Sequence, residues 1–167
     1  MNSKTQRIVI AAMMASMVCV ATMIIKVPSP MKGYVNVGDA MVLLSAWLLA
    51  PGYGFAAAAI GSALADLFYG YIIYAPATFV IKGCMALLAY LCLRVLRRRI
   101  GRFPSQIIGG LAAETLMVLG YYLFEGVLYG FVPSLVNIPA NCAQGVISLL
   151  LGIVLIKLCE RMKISAP

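Results

Sequence analysis

Five ionisable side chains lie within apolar stretches of this 167-residue sequence, and their types make them the first candidates for chemistry. They are Asp39, Asp66, Lys82, Glu114 and Glu125. An ionisable group at membrane depth is costly to insert, so it usually marks a ligand site, an ion pathway or an internal ion pair. These residues therefore predict polar recognition inside an otherwise apolar protein.

Amide and aromatic side chains accompany the charges. Helical spacing puts the members of each of two sets on one helix face: Asn137, Asn141 and Gln144, and Glu114, Tyr121 and Glu125. Aromatic residues cluster at the same predicted level: Phe68, Tyr69, Tyr71, Tyr74, Tyr121, Tyr122, Phe124 and Tyr129. Carboxylates accept hydrogen bonds from ring N–H or amino groups, and tyrosines stack on rings. The pattern predicts a pocket for a small polar ring compound, and the candidate binding residues are Asp66, Lys82, Glu114, Tyr121, Glu125, Asn137, Asn141 and Gln144.

The same residues also have structural interpretations. Lys82 can stabilise the bundle by pairing with Asp66 or Glu114, and Asp39 or Asn137 can cap a helix. The other amides can join neighbouring helices, and tyrosines near an interface often form an aromatic belt. Both interpretations stay open for each residue, but the convergence of so many polar groups at one depth favours a site.

The composition excludes several functional classes. Hydrophobic residues make up 63% of the chain and charged residues 11%, which cannot cover a soluble domain with a polar surface. The basic residues sit between long apolar runs, which argues against nucleic-acid binding despite the net charge of +8. The sequence has no histidine, no C-x-x-C pair and no phosphate-binding loop. We therefore expect no metal, no cofactor and no ATP hydrolysis by this chain.

The elements that must position the polar residues are apolar segments of helical length. Six segments are predicted, within one domain over 1–167: 8–25, 37–50, 53–69, 75–96, 104–129 and 134–159. The second would rise only about 21 Å, short of a hydrocarbon core of about 30 Å, so it must be tilted, kinked or partly re-entrant. The prediction is an all-α polytopic membrane protein with six transmembrane helices.

The basic residues orient this bundle. Ten of the 13 lie before segment one, between segments four and five, or at the end of the chain. The positive-inside rule then places the N- and C-termini in the cytoplasm. If segments two and three formed one re-entrant hairpin, the rule would be obeyed equally well.

Small residues on the first segment form a possible docking face. Ala11 and Ala15 are four apart, which lets helices approach closely, either within the bundle or against another subunit. The longest outer connection, 26–38, could close over the pocket or only connect two helices.

Short motifs carry a resemblance to a known family. They are VNVGDA (35–40), APGYG (50–54), GSALADL (61–67), YAPATF (74–79), IKG (81–83) and Asn137-x-x-x-Asn141-x-x-Gln144-Gly145. Together they resemble the S components of energy-coupling factor (ECF) transporters, which are small six-helix membrane proteins that capture vitamins for bacterial uptake.

The resemblance implies a non-enzymatic binding subunit in the bacterial cell membrane. It implies a pocket open to the outside and gated by the first outer loop, with Lys32 and Asp39 at the gate. It implies a transmembrane coupling subunit and two cytoplasmic ATPase subunits as partners, with docking through Ala11 and Ala15. The motifs are closest to a branch that takes pyridoxine or hydroxymethylpyrimidine compounds, with riboflavin next.

Two other functions stay open. One is a self-contained proton-coupled carrier that uses Asp66, Glu114 and Lys82 as a relay. The other is an intramembrane enzyme with paired carboxylates, against which the missing histidine and D-x-x-D cluster count.

Overall fold

The computed structural model describes residues 4–28 and 34–162, and these ranges are almost entirely helical. The elements in chain order are α1 (Lys4–Ile24), β1 (Lys26–Pro28), β2 (Tyr34–Asn36), α2 (Gly38–Leu48), α3 (Pro51–Phe68), α4 (Ala75–Ile100), α5 (Arg102–Tyr129), α6 (Phe131–Ser134), a 3₁₀ turn (Leu135–Asn137) and α7 (Ile138–Arg161). The predicted all-α class is confirmed, and each predicted segment has its helix. The single turn α6, the 3₁₀ turn and α7 together form the sixth.

Four helical stretches are long and apolar enough to cross a membrane. They are α1, α4, α5 and the combined stretch Phe131–Arg161. Among the described residues, the 18-residue α3 and the 11-residue α2 do not meet the same length and hydropathy criteria. The structure therefore supports six main helices, of which four have the dimensions of full spans.

The second predicted segment is short because α2 is a central helix. Ten of its 11 residues are buried, and it packs against α1, α3, α4 and α7. Its largest side chains, Leu43 and Trp47, are almost fully enclosed. A helix surrounded by protein does not have to match the thickness of the hydrocarbon core, which explains its length of about 16 Å.

The outer connection between α1 and α2 forms a small hairpin that was not predicted. β1 and β2 pair antiparallel, with Val27 opposite Val35. No strong strand signal is visible there, because each strand has only three residues.

The arginine-rich stretch that separates predicted segments four and five is itself helical. α4 continues through Arg97–Arg99 to Ile100, and α5 begins at Arg102. Arginine is a good helix former, so the helix ends only at Gly101, whose φ of +85° reverses the chain at one residue.

Close packing joins α1 to α3. A Cβ at Gly61 would lie 2.4 Å from the carbonyl oxygen of Ala15 and 2.8 Å from the Cβ of Val18. The two backbones therefore meet at a distance that only glycine allows. Ala11 is buried beside this contact, so part of the predicted docking face packs inside the bundle.

Candidate functional site

A polar pocket lies at the end of the bundle that carries the hairpin. Side chains from five helices, from β2 and from the α3–α4 connection line it: Thr22, Tyr34, Asn36, Ser62, Asp66, Tyr71, Tyr74, Thr78, Lys82, Tyr121, Glu125, Asn141 and Gln144. Six of the eight predicted binding residues are in this wall, namely Asp66, Lys82, Tyr121, Glu125, Asn141 and Gln144. Residues far apart in sequence are thus brought to one place.

The floor of the polar pocket is a buried network around Asp39. The ammonium of Lys82 donates to Oδ1 of Asp39, and both side chains are almost completely buried, at 3% and 1% exposed. Nε2 of Gln144 donates to Oδ2 of the same carboxylate at 2.6 Å. The floor therefore ties α2, α4 and α7 together. Among the partners considered for Lys82, neither Asp66 nor Glu114 forms the ion pair.

The hairpin is attached to this floor. The backbone N–H of Asn36 donates to Oε1 of Gln144 at 2.9 Å. The side-chain Oδ1 of Asn36 accepts from the N–H of Gly38 at 2.8 Å. Gln144 thus uses its amide to join the hairpin to Asp39. Asp39, which was predicted at the gate, is buried in the floor and is joined to the hairpin through Gln144.

Tyr34 covers the polar pocket from the hairpin side. Its hydroxyl donates to Oδ1 of Asp66 at 2.6 Å, and its ring packs against Tyr69 and Tyr71 at centroid distances of 5.8 and 5.0 Å. Burial and the neighbouring Asp66 carboxylate raise the pKa of the Tyr34 hydroxyl far above its usual value. Tyr34 therefore stays protonated at neutral pH and donates to the carboxylate.

The opposite wall centres on Glu125. Nδ2 of Asn137 donates to Oε2 of Glu125 at 2.8 Å, and the Tyr74 hydroxyl donates to Oε1 at 3.3 Å. Asn137 thus supports the wall from behind. Nearby, the hydroxyls of Thr78 and Tyr121 lie 3.0 Å apart.

Glu114 is buried near the floor but does not line the polar pocket. Its side chain is 5% exposed and lines a separate groove between α5 and α7, next to Gly145. Within the described residues, neither of its carboxylate oxygens has a hydrogen-bond partner. The second predicted gate residue, Lys32, lies outside the described residues.

The polar pocket is closed in this structure. The space left between its walls is about 30 Å³, which is room for only a few water molecules. A ring compound therefore needs an outward movement of the wall. The wall elements that are not helices are the hairpin carrying Tyr34 and the α3–α4 connection. Once open, the walls offer carboxylate and amide acceptors, amide donors and phenol rings.

Sequence reasoning missed several wall residues, of which Tyr34 and Asn36 are the most informative. They are two apart on a strand, so both point to the same side. That alternation was a signal for the pocket, but it spans only three residues. Thr22, near the end of the largely apolar α1, had no distinguishing signal.

The fold is a helical bundle with helices long and apolar enough to cross a membrane, and it encloses a polar pocket at one end. Residues 2–161 match the model of a family described as "ECF-type riboflavin transporter, S component". The chain belongs to this family, as its motifs indicated, and the family is one of transporter subunits rather than enzymes.

Two relatives support the match. An "uncharacterized protein in gap 3′ region" of Pyrococcus woesei is 33% identical over 136 residues, which cover 81% of this chain and 88% of that protein. A solved structure of the S component of a bacterial ECF transporter shares 22% identity and a TM-score of 0.77, covering 96% of this chain and 98% of that one. At that identity the structural likeness shows a shared fold.

Proposed function

We propose that this chain captures a small ring-containing vitamin, or a precursor of one, from outside the cell and presents it to an ATP-driven importer. The observation that carries the proposal is the polar pocket, in which Asp66, Glu125 and Asn141 converge with tyrosine rings above a buried ionic floor. Polar groups this costly to place in a membrane protein are best explained by a ligand that uses them.

The proposed orientation follows from α4. The pocket residue Lys82 and the basic residue Arg97 are 15 positions apart on this helix, which separates them by about 22 Å along its axis. The basic end, which also carries Arg161 of α7, belongs in the cytoplasm by the positive-inside rule. Both termini are then cytoplasmic, six helices cross the cell membrane, and the pocket faces outward.

The walls favour a ligand rich in hydrogen-bond donors. Asp66 and Glu125 are acceptors, and each is already held by a tyrosine hydroxyl that a ligand donor can supplement or replace. The closed volume requires less opening for one ring than for three. We therefore propose a pyridoxine- or hydroxymethylpyrimidine-type compound first, and riboflavin, which the family description names, as the next compound to test.

The proposed gate is the hairpin. Tyr34 holds it to Asp66 on one side, and the Asn36 backbone holds it to Gln144 on the other. Opening breaks these contacts and uncovers the carboxylates. Lys32, the second proposed gate residue, lies between the two strands in sequence, and Asp39 anchors the floor on which the hairpin closes.

The proposed partners are a transmembrane coupling subunit and two cytoplasmic ATPase subunits. Ala11 and Ala15 line an apolar groove between α1 and α3, together with the exposed Ala12 and Ser16. A groove floored by small residues admits another helix closely. The chain itself has no phosphate-binding loop, so the proposed ATP-driven uptake requires ATPase partners.

Binding in detergent tests the proposal. Pyridoxine, hydroxymethylpyrimidine and riboflavin are titrated separately against the purified chain by calorimetry, and one of them should bind with Kd below about 1 µM. Glu125→Gln and Asn141→Leu should weaken that binding at least tenfold, because each removes a group from the wall. Glu160→Gln, at the far end of the bundle, is the matched control. If none of the three compounds binds, the proposed ligand class is wrong.

Uptake separates the importer from a self-contained carrier. Vesicles containing only this chain should accumulate no ligand under a pH gradient, and co-reconstitution with coupling and ATPase subunits should give ATP-dependent uptake. Accumulation by the chain alone would favour the proton-coupled carrier instead.

A further inference from the structure

A second cavity lies at the opposite end of the bundle from the polar pocket. It is bounded by the end of α2, the last turns of α4 and the start of α5, and its volume is about 370 Å³. Arg94, Arg97 and Arg102 line it, together with Tyr90 and Trp47. We call it the arginine cavity. The transport function proposed above makes no use of it.

The charges in the arginine cavity are only partly neutralised. Within the described residues, Arg94 and Arg97 have no ion-pair partner, and Arg102 makes one contact, to Glu160 at 3.1 Å. Tyr90, Arg94 and Arg97 follow the i, i+4, i+7 pattern, so α4 presents them on one face. Three guanidinium groups around one cavity suit a phosphate-bearing anion, because the planar guanidinium matches phosphate geometry.

One aromatic residue of the wall is itself buried. Trp47 is 2% exposed, it lines the cavity, and within the described residues its indole nitrogen is inaccessible to water and has no hydrogen-bond acceptor. Indole is a donor only, so this N–H can bind an anionic oxygen only if the wall shifts. The unpaired positive charge of the arginines therefore carries the case for an anion, and Trp47 is a neighbouring reporter.

Apolar side chains beside the charges indicate where that anion comes from. Leu91 and Val95 of α4 and Phe103 of α5 are exposed on the turns that carry the arginines. Such surfaces contact acyl chains, while arginines at the same level contact headgroups. We propose that the arginine cavity binds the phosphate headgroup of an anionic phospholipid, with its acyl chains along α4 and α5.

Trp47 is the only tryptophan of the chain, so its fluorescence reports on the arginine cavity directly. The full chain in neutral detergent is titrated with short-chain phosphatidylglycerol, with the matching phosphatidylcholine and with inorganic phosphate. Phosphatidylglycerol should give a saturable change and, in native mass spectrometry, one retained lipid. Phosphatidylcholine should bind at least about tenfold more weakly, because its headgroup has no net charge.

The variant Arg94→Gln/Arg97→Gln should weaken phosphatidylglycerol binding at least about tenfold. Arg98→Gln/Arg99→Gln removes the same charge from the same turns without touching the cavity wall, and it should keep nearly wild-type binding. Arg102→Gln provides a second cavity variant if the first does not fold. Equal losses in the two double variants, or equal binding of both lipids, would overturn the proposal. A saturable response to inorganic phosphate alone would overturn its assignment to lipid.

Discussion

The buried ion pair beneath the polar pocket makes a prediction about stability that is independent of the ligand. Replacing Lys82 by methionine keeps much of its length and apolar stem but leaves Asp39 as an unpaired buried charge. Breaking a buried pair on one side typically costs about 3–5 kcal/mol. At roughly 2–4 °C per kcal/mol for a chain of this size, Lys82→Met should lower Tm by roughly 6–20 °C.

Removing the second charge should restore most of this loss. Asp39→Asn in the Lys82→Met background leaves no charge in the floor and keeps an oxygen that can accept from Nε2 of Gln144, which now lies 2.6 Å from the carboxylate. Because a neutral replacement of a buried pair is often nearly neutral for stability, the double variant should recover more than half of the lost Tm.

Thermal unfolding of the purified chain in detergent, followed by circular dichroism, measures these effects. The matched control is Glu114→Gln in the same Lys82→Met background, because Glu114 is buried nearby but does not pair with Lys82. The control should recover little. If it restored Tm as fully as Asp39→Asn, or if neither did, the assignment of Asp39 as the partner of Lys82 would be refuted.

Three further predictions concern other contacts. Gly61→Ala should destabilise the chain by more than about 1 kcal/mol, because the new methyl group would lie 2.4 Å from the α1 backbone. Gly52→Ala is the control. A methyl group there has no atom within 4 Å, so this variant should be neutral or slightly stabilising in thermal unfolding. Tyr34→Phe removes a hydrogen bond to a carboxylate, which is worth about 1.5–3 kcal/mol. The bound vitamin should therefore dissociate about 10–100 times faster in a filter-binding chase. An unchanged dissociation rate would exclude Tyr34 from the gate. Arg102→Gln should lower the free energy of unfolding by less than about 1 kcal/mol, because both members of the Arg102–Glu160 pair are exposed. A larger loss in thermal unfolding would show that the contact is stronger than its exposure suggests.

The sequence allowed the helices to be predicted because hydropathy is a strong signal over 20 residues. All six apolar segments correspond to helices, and the boundaries of α5, predicted at 104–129 and observed at Arg102–Tyr129, differ by two residues at one end. The short second segment was the exception to the pattern of full spans. Its central position depends on the packing of four other helices, and no local property of Gly38–Leu48 encodes that.

The depth of the candidate site residues in the membrane could be predicted from the sequence, but their hydrogen-bond and ion-pair partners could not. Helical phase predicted that Asp66, Glu125 and Asn141 face one pocket, since each is fixed by its own helix. Asp66 and Glu114 were the partners predicted for Lys82, and both predictions are wrong because the ion pair is made by Asp39. That pairing depends on how α2 sits inside the bundle, which no local sequence pattern encodes.

The layer beneath the floor bears on how a captured ligand could reach the cytoplasm. Below Lys82, the side chains of Leu43, Met85 and Met117 are completely buried. A ligand moving along the bundle axis would have to break the Asp39–Lys82 pair and then open a close-packed apolar layer, leaving its own polar groups without partners. Both costs fall on the same step, so a passage along the bundle axis is unfavourable for a polar ligand.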